Sequence, residues 1–107
     1  MQTTLQVSFV GLARSDAVEN RIRDEVSKLE QFKHDITAMR VVVSRPEHSH
    51  HKGDSFHVGI HISVPRAPDI AISREPGEHG AHDDVYISIR DTFKAARRQL
   101  RDLAAKH

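Results

Sequence analysis

Between residues 3 and 10 apolar and polar side chains alternate, with Leu5, Val7 and Phe9 on one side and Thr4, Gln6 and Ser8 on the other. A period of two marks a strand with one face buried, and Gly11 ends the pattern. The period then changes. Val18, Ile22, Val26, Leu29 and Phe32 recur every three or four residues and predict one amphipathic helix to about residue 33. Ser15 or Asp16 is placed to cap its start, with Glu19 three residues after Asp16 as in a capping box.

A second strand is expected from about Ile36 to Ser44, where Met39, Val41 and Val43 share a face and Pro46 stops the run. Residues 47–54 form a polar, histidine-rich loop closed by Gly53. Phe56, Val58, Ile60, Ile62 and Val64 then alternate with His57, Gly59, His61 and Ser63, the clearest strand in the chain. The turn Pro65-Arg66-Ala67-Pro68 leads to a short strand with Ile70 and Ile72 inward, and residues 74–82 form a loop. Asp83 or Asp84 is placed to cap a last helix, along which Val85, Ile89, Phe93, Ala96, Leu100 and Leu103 repeat at helical spacing.

Four strands with one apolar face each and two amphipathic helices bury those faces most simply as two layers, with both helices on one side of the sheet. The expected fold is therefore α+β, a β-α-β-β-β-α chain. The first two strands are parallel across a right-handed crossover, and strands 2, 3 and 4 form a meander, giving a mixed sheet of order 1-2-3-4. All four phenylalanines are assigned to the core. The other sheet face, with Arg40, His57 and His61, stays in water.

A chain of 107 residues fits one domain, read here as residues 1–107. It has no cysteine, which excludes disulfides, thiolate metal sites and a cysteine nucleophile and suits a reducing cytosol. No apolar run reaches the ~20 residues that span a bilayer, and no basic and apolar leader opens the chain, so no membrane partner is expected.

Net charge is only +1, so any polyanion partner must be argued from where the charges fall. From Arg90 to His107 six basic residues face two acidic ones, Asp91 and Asp102, which gives this helix +4 and leaves the rest of the chain acidic on balance. At ~100° per residue Arg90, Lys94, Arg97 and Arg101 form one narrow stripe, with Arg98 beside it. Arg14, Arg21 and Lys28, spaced by seven, mark one flank of the first helix. Two basic flanks over one sheet face would line a groove for a phosphate backbone. A solvated helix face is the plainer reading of the same stripe, and sequence does not fix whether the flanks meet.

Nine histidines raise the question of a metal, with His48, His50 and His51 in one loop and His79 and His82 in another. His57 and His61 share a strand face but stand about 13 Å apart, too far for one ion. No further ligand falls at a diagnostic spacing, so no metal or other cofactor is expected. The chain contains no His-Glu-x-x-His, Gly-x-Ser-x-Gly or phosphate-binding glycine loop. It reads as a binding protein, neither an enzyme nor the host of a small-molecule substrate.

Several segments carry a family resemblance. They are the helix from Ser15 to Phe32, His50-His51-Lys52-Gly53-Asp54, Phe56-His57-Val58, and Asp84-Val85-Tyr86-Ile87-Ser88-Ile89 leading to Ala96-Arg97-Arg98-Gln99-Leu100. In these the chain resembles the hibernation-promoting factor and ribosome-associated inhibitor family, also called the sigma-54 modulation or S30EA family, over nearly its whole length. The resemblance implies a double-stranded-RNA-binding-domain-like fold. It also implies a translation inhibitor that sits on the small ribosomal subunit near the decoding region and excludes tRNA and mRNA during dormancy. By the same resemblance the rRNA contacts fall on Arg90, Lys94, Arg97, Arg98 and Arg101, with Arg21, Lys28 and Lys52 beside them. Longer members carry a C-terminal dimerisation domain, which is not expected here. The alternative from a different class is a protein interaction or regulatory module that uses the exposed sheet face and binds no RNA.

Overall fold

The computed structural model describes residues 3–45, 56–73 and 84–105. Its elements follow in the order β1 (Thr4–Val10), α1 (Asp16–Phe32), β2 (Ala38–Ser44), β3 (His57–Ser63), β4 (Ile70–Ser73) and α2 (Val85–Ala105). They form an α+β fold with one four-stranded sheet of order β1-β2-β3-β4. β1 and β2 are parallel, while β2–β3 and β3–β4 are antiparallel. This is the architecture expected from the periodicities.

Register decides which residues share a face. Leu5, Met39 and Ile62 align across three strands, as do Val7, Val41 and Ile60, so the alternation along each strand adds up to one continuous apolar surface. Val41, Val43 and Ile62 are fully buried there against Ile22 of α1 and Ile89, Ala96 and Leu100 of α2. Burying each such side chain contributes about 1.5–3 kcal/mol, enough in sum to hold both helices on this face. At the edge strand β1 the cover thins, and Leu5, Val7 and Phe9 are only partly buried.

The start of α1 departs from the capping box. Ser15 is the N-cap, in extended conformation, and its hydroxyl accepts from the Val18 N–H at 3.2 Å. Glu19 instead receives Arg23 at 2.9 Å and also pairs with Arg14. The Arg23 hydrogen bond, helped by the charge of Arg14, holds the Glu19 carboxyl below its usual range. An extended Ser15 reaches the orphan N–H directly, and two nearby guanidinium groups outcompete a single backbone N–H for the carboxylate. At α2 the Asp84 carboxylate accepts from the Tyr86 N–H at 2.9 Å, consistent with one of the two expected caps.

Gly11 turns the chain out of β1 with φ 77°, and an added Cβ would stand 2.5 Å from the Arg45 carbonyl oxygen. Both the backbone conformation and the close approach require glycine.

Of the four phenylalanines, Phe93 alone is fully buried; Phe9 and Phe56 are partly buried and Phe32 is 38% exposed. The assignment of all four to the core is therefore corrected. Phe32 lies three residues beyond Leu29, but on a helical wheel it falls about 75° from the middle of the α1 apolar stripe, on its flank.

Candidate nucleic-acid interface

The two basic flanks meet. Arg21 and Lys28 of α1 and Arg90, Lys94 and Arg97 of α2 line one open groove of about 340 Å³, floored by Leu29 and Phe93. The geometry follows from the wheels. On each helix the cations sit beside the stripe that packs on the sheet, so two helices laid side by side on one face bring those flanks together. The apolar floor is the upper edge of the core and holds the rims at a fixed separation.

One carboxylate enters the groove. Glu25, with its side chain only 13% exposed, accepts from Arg21 Nε at 3.2 Å and lies 3.9 Å from Lys28 Nζ. Opposite, Arg90 Nε donates to the neighbouring Asp91 at 3.2 Å. These pairs orient the cations, whose own side chains remain 37–67% exposed, and leave most of the groove's positive charge in place. Asp102 does not interrupt the basic stripe, although its place in the sequence suggests that it would. It lines a separate depression with Asp69 and Gln99 on the β4 side of α2. Of the two acids of α2, Asp91 pairs with Arg90 and Asp102 is turned away from the groove.

The other expected residues divide. Arg101 is exposed one turn beyond Arg97 and continues the stripe past the groove. Arg98 is exposed but lies about 70° round the helix from the stripe and does not line the groove. Lys52 and the clusters His48, His50, His51 and His79, His82 fall outside the described residues. Among the described residues no group of three or more His, Cys, Asp or Glu is placed to hold a metal ion, and no helix is long and apolar enough to cross a membrane.

Two features of the groove are visible only in three dimensions. Glu25 does not stand out in the sequence, although it shares the α1 flank with Arg21 and Lys28 at spacings of four and three. Phe32 reads as core by its spacing, yet Arg97 places its guanidinium carbon 5.0 Å from the centre of the Phe32 ring. The wheel position of Phe32, among the flank cations, is the one sequence signal for that contact.

On the outer sheet face Gln6, Arg40 and His61 stand in register across β1, β2 and β3. With Thr4, Ala38 and Ser63 they border a depression of about 210 Å³. His61 Nε2 lies 3.6 Å from Asp69, and His57 Nε2 lies 2.9 Å from the Ser73 hydroxyl. Among the described residues this face carries few charges and no row of cations comparable to the groove.

The family model described as Sigma 54 modulation protein / S30EA ribosomal protein matches residues 5–107. The chain belongs to that family. Membership makes this S30EA chain a ribosome-associated modulation protein, in a family not known for enzymes. Comparison with curated proteins finds no match. Solved structures share its fold, among them the following two. A ribosomal subunit interface protein from Coxiella burnetii superposes with a TM-score of 0.78 at 14% identity, over 96% of this chain and 99% of that one. The N-terminal domain of Protein Y from Thermus thermophilus gives 0.71 at 14% identity, over 94% and 99%.

Proposed function

We propose that this S30EA-family protein binds the small ribosomal subunit through its rRNA, near the decoding region, and blocks tRNA and mRNA from binding while the ribosome is dormant. The observation that carries the reading is the convergence of Arg21, Lys28, Arg90, Lys94 and Arg97 on one groove in a chain whose net charge is only +1. A general solubility charge would be spread over the surface. A facing double row of cations over an apolar floor suits a polyanion strand, because each contact to a phosphate releases condensed counterions.

Family membership supports the ribosome as the source of that strand, and the RNA is the ribosome's most abundant surface anion. Arg101 extends the track along α2, Arg98 contributes from its outer side, and Lys52 in the histidine-rich segment adds a further cation. Residues 1–107 act as one binding domain in the cytoplasm, without a cofactor. Inhibition is steric: a domain seated where tRNA and mRNA pass excludes them without chemistry.

The test is competition on purified small subunits carrying labelled mRNA and tRNA. The reading expects both labels to be released as the protein is added, with the loss saturating at one protein per subunit. Stable retention of both labels on subunits that have bound the protein would contradict the blocking role.

A further inference from the structure

Phe32 is one of three large hydrophobic side chains exposed among the described residues, at 38% of its surface. It ends α1, one turn beyond Lys28 and Leu29, both of which line the groove. Arg97, on the opposite wall, sits over its ring at 5.0 Å. No carboxylate among the described residues forms an ion pair with Arg97. A part-exposed aromatic ring and a guanidinium held over it thus stand together at the edge of the basic groove.

Two other arginines among the described residues sit over phenylalanines, and neither pair has this setting. Arg14, over Phe9, is engaged by Glu19. Arg45, over Phe56, lies beside the ends of β2 and β3, away from the groove. Of these three pairs, Phe32–Arg97 is the one that borders the basic groove.

We propose that Phe32 and Arg97 form a stacking platform for one unpaired nucleobase, so that the groove takes RNA whose backbone carries a bulged or single-stranded base. The inference rests on the reading of the groove as an RNA site and narrows the class of RNA it takes. Bases inside a duplex have both faces covered and gain nothing from an aromatic platform. An unpaired base gains a stack on a ring or on a guanidinium plane, while its own phosphate remains within reach of the neighbouring cations. Cation–π attraction to Phe32 holds the Arg97 guanidinium in place before the base arrives, which lowers the ordering cost of binding. Because every base offers a π-face, the platform favours unpaired over paired nucleotides with little preference among the four bases.

The test uses two RNA hairpins, one fully paired and one carrying a single bulged 2-aminopurine, each titrated with the protein over a salt series and followed by anisotropy and 2-aminopurine emission. The wild type is expected to bind the bulged hairpin about tenfold tighter, within the range of a stacked base, and to change its emission. Phe32→Leu, verified as folded by circular dichroism, loses the preference and the emission change but still binds the paired hairpin. Arg97→Lys keeps the charge, so its salt slope stays as in wild type while the preference falls. Phe32→Trp retains both signals. Equal wild-type affinity for the two hairpins, or an undiminished preference in Phe32→Leu, would overturn the platform while leaving the RNA groove standing. Failure to bind either hairpin at low salt would overturn both.

Discussion

Arg21 donates from Nε to the Glu25 carboxylate at 3.2 Å, one helical turn away and inside the basic groove. The same carboxylate lies 3.9 Å from Lys28. It restrains the two cations of the α1 wall and at the same time opposes any incoming phosphate. Glu25→Gln should therefore tighten RNA binding roughly two- to fivefold at low salt, with the gain fading as salt screens the groove. Stability should change by no more than about 1 kcal/mol, since both cations of the pairs are solvent-exposed and glutamine keeps the shape of the half-buried carboxylate. RNA titration at two ionic strengths, with a thermal melt of each protein, checks both parts; weaker binding at low salt would mean that Glu25 matters chiefly by orienting Arg21 and Lys28.

Groove geometry distinguishes cations that share a helix. Lys94 lines the groove, whereas Arg98 is exposed outside it. Lys94→Glu and Arg98→Glu make the same change in net charge, so a purely global electrostatic effect would weaken RNA binding equally. The groove account expects Lys94→Glu to be the more damaging by about tenfold, corresponding to ~1.4 kcal/mol. Its log–log salt slope should also be the shallower, by about 0.7–0.9 for each phosphate that the variant no longer neutralises. Paired salt titrations read both quantities.

The parts of the fold that are legible in sequence are those set by short-range periodicity. The alternation in Phe56–Val64 and the three- and four-residue spacing of Ile22, Val26 and Leu29 each follow from one buried face, and the structure buries those faces together. Phe32 shows where that reasoning gives out. Its spacing from Leu29 is helical, but the choice between core and groove depends on where α2 lies, which is set by packing across the sheet. The stripe Arg90, Lys94, Arg97 and Arg101 is legible for the same reason as the core. Its juxtaposition with Arg21 and Lys28 is not, because it arises only when both helices occupy one sheet face. Glu25 and Asp102 illustrate the limit of counting charges: one carboxylate lies in the groove and the other on the far side of α2.

Ser15 rather than Asp16 caps α1. Ser15→Ala should cost about 1 kcal/mol of stability, and Ser15→Asp should preserve it because a carboxylate can accept the same Val18 N–H. Asp16→Ala should cost less, removing only a favourable charge from the first turn. Denaturant melts of the three variants decide the order; a larger loss for Asp16→Ala would reverse the assignment.

Gly11 offers a sharper stability test. With φ 77° and the Arg45 carbonyl oxygen 2.5 Å from where a Cβ would stand, Gly11→Ala incurs both backbone strain and a steric clash. A loss of about 1–3 kcal/mol is expected from the strained conformation alone, read as a lower denaturation midpoint at unchanged slope. Because Arg45 N–H donates to Val10 O at 3.1 Å, the damage should centre on the β1–β2 end, where hydrogen exchange would quicken first.

If the groove between α1 and α2 is the ribosome-binding surface, reversing its charge must abolish binding. The most direct measurement is sucrose-gradient co-sedimentation with purified small subunits over a salt series. Wild type is compared with a folded variant in which Arg90, Lys94, Arg97 and Arg101 are all changed to Glu. The account predicts that wild type travels with the subunit at low salt and is released as salt rises, and that the variant stays at the top of the gradient throughout. Equal co-sedimentation of the two proteins would contradict the groove as the contact surface, and absence of wild type from the subunit fractions at every salt concentration would contradict the small subunit as its partner.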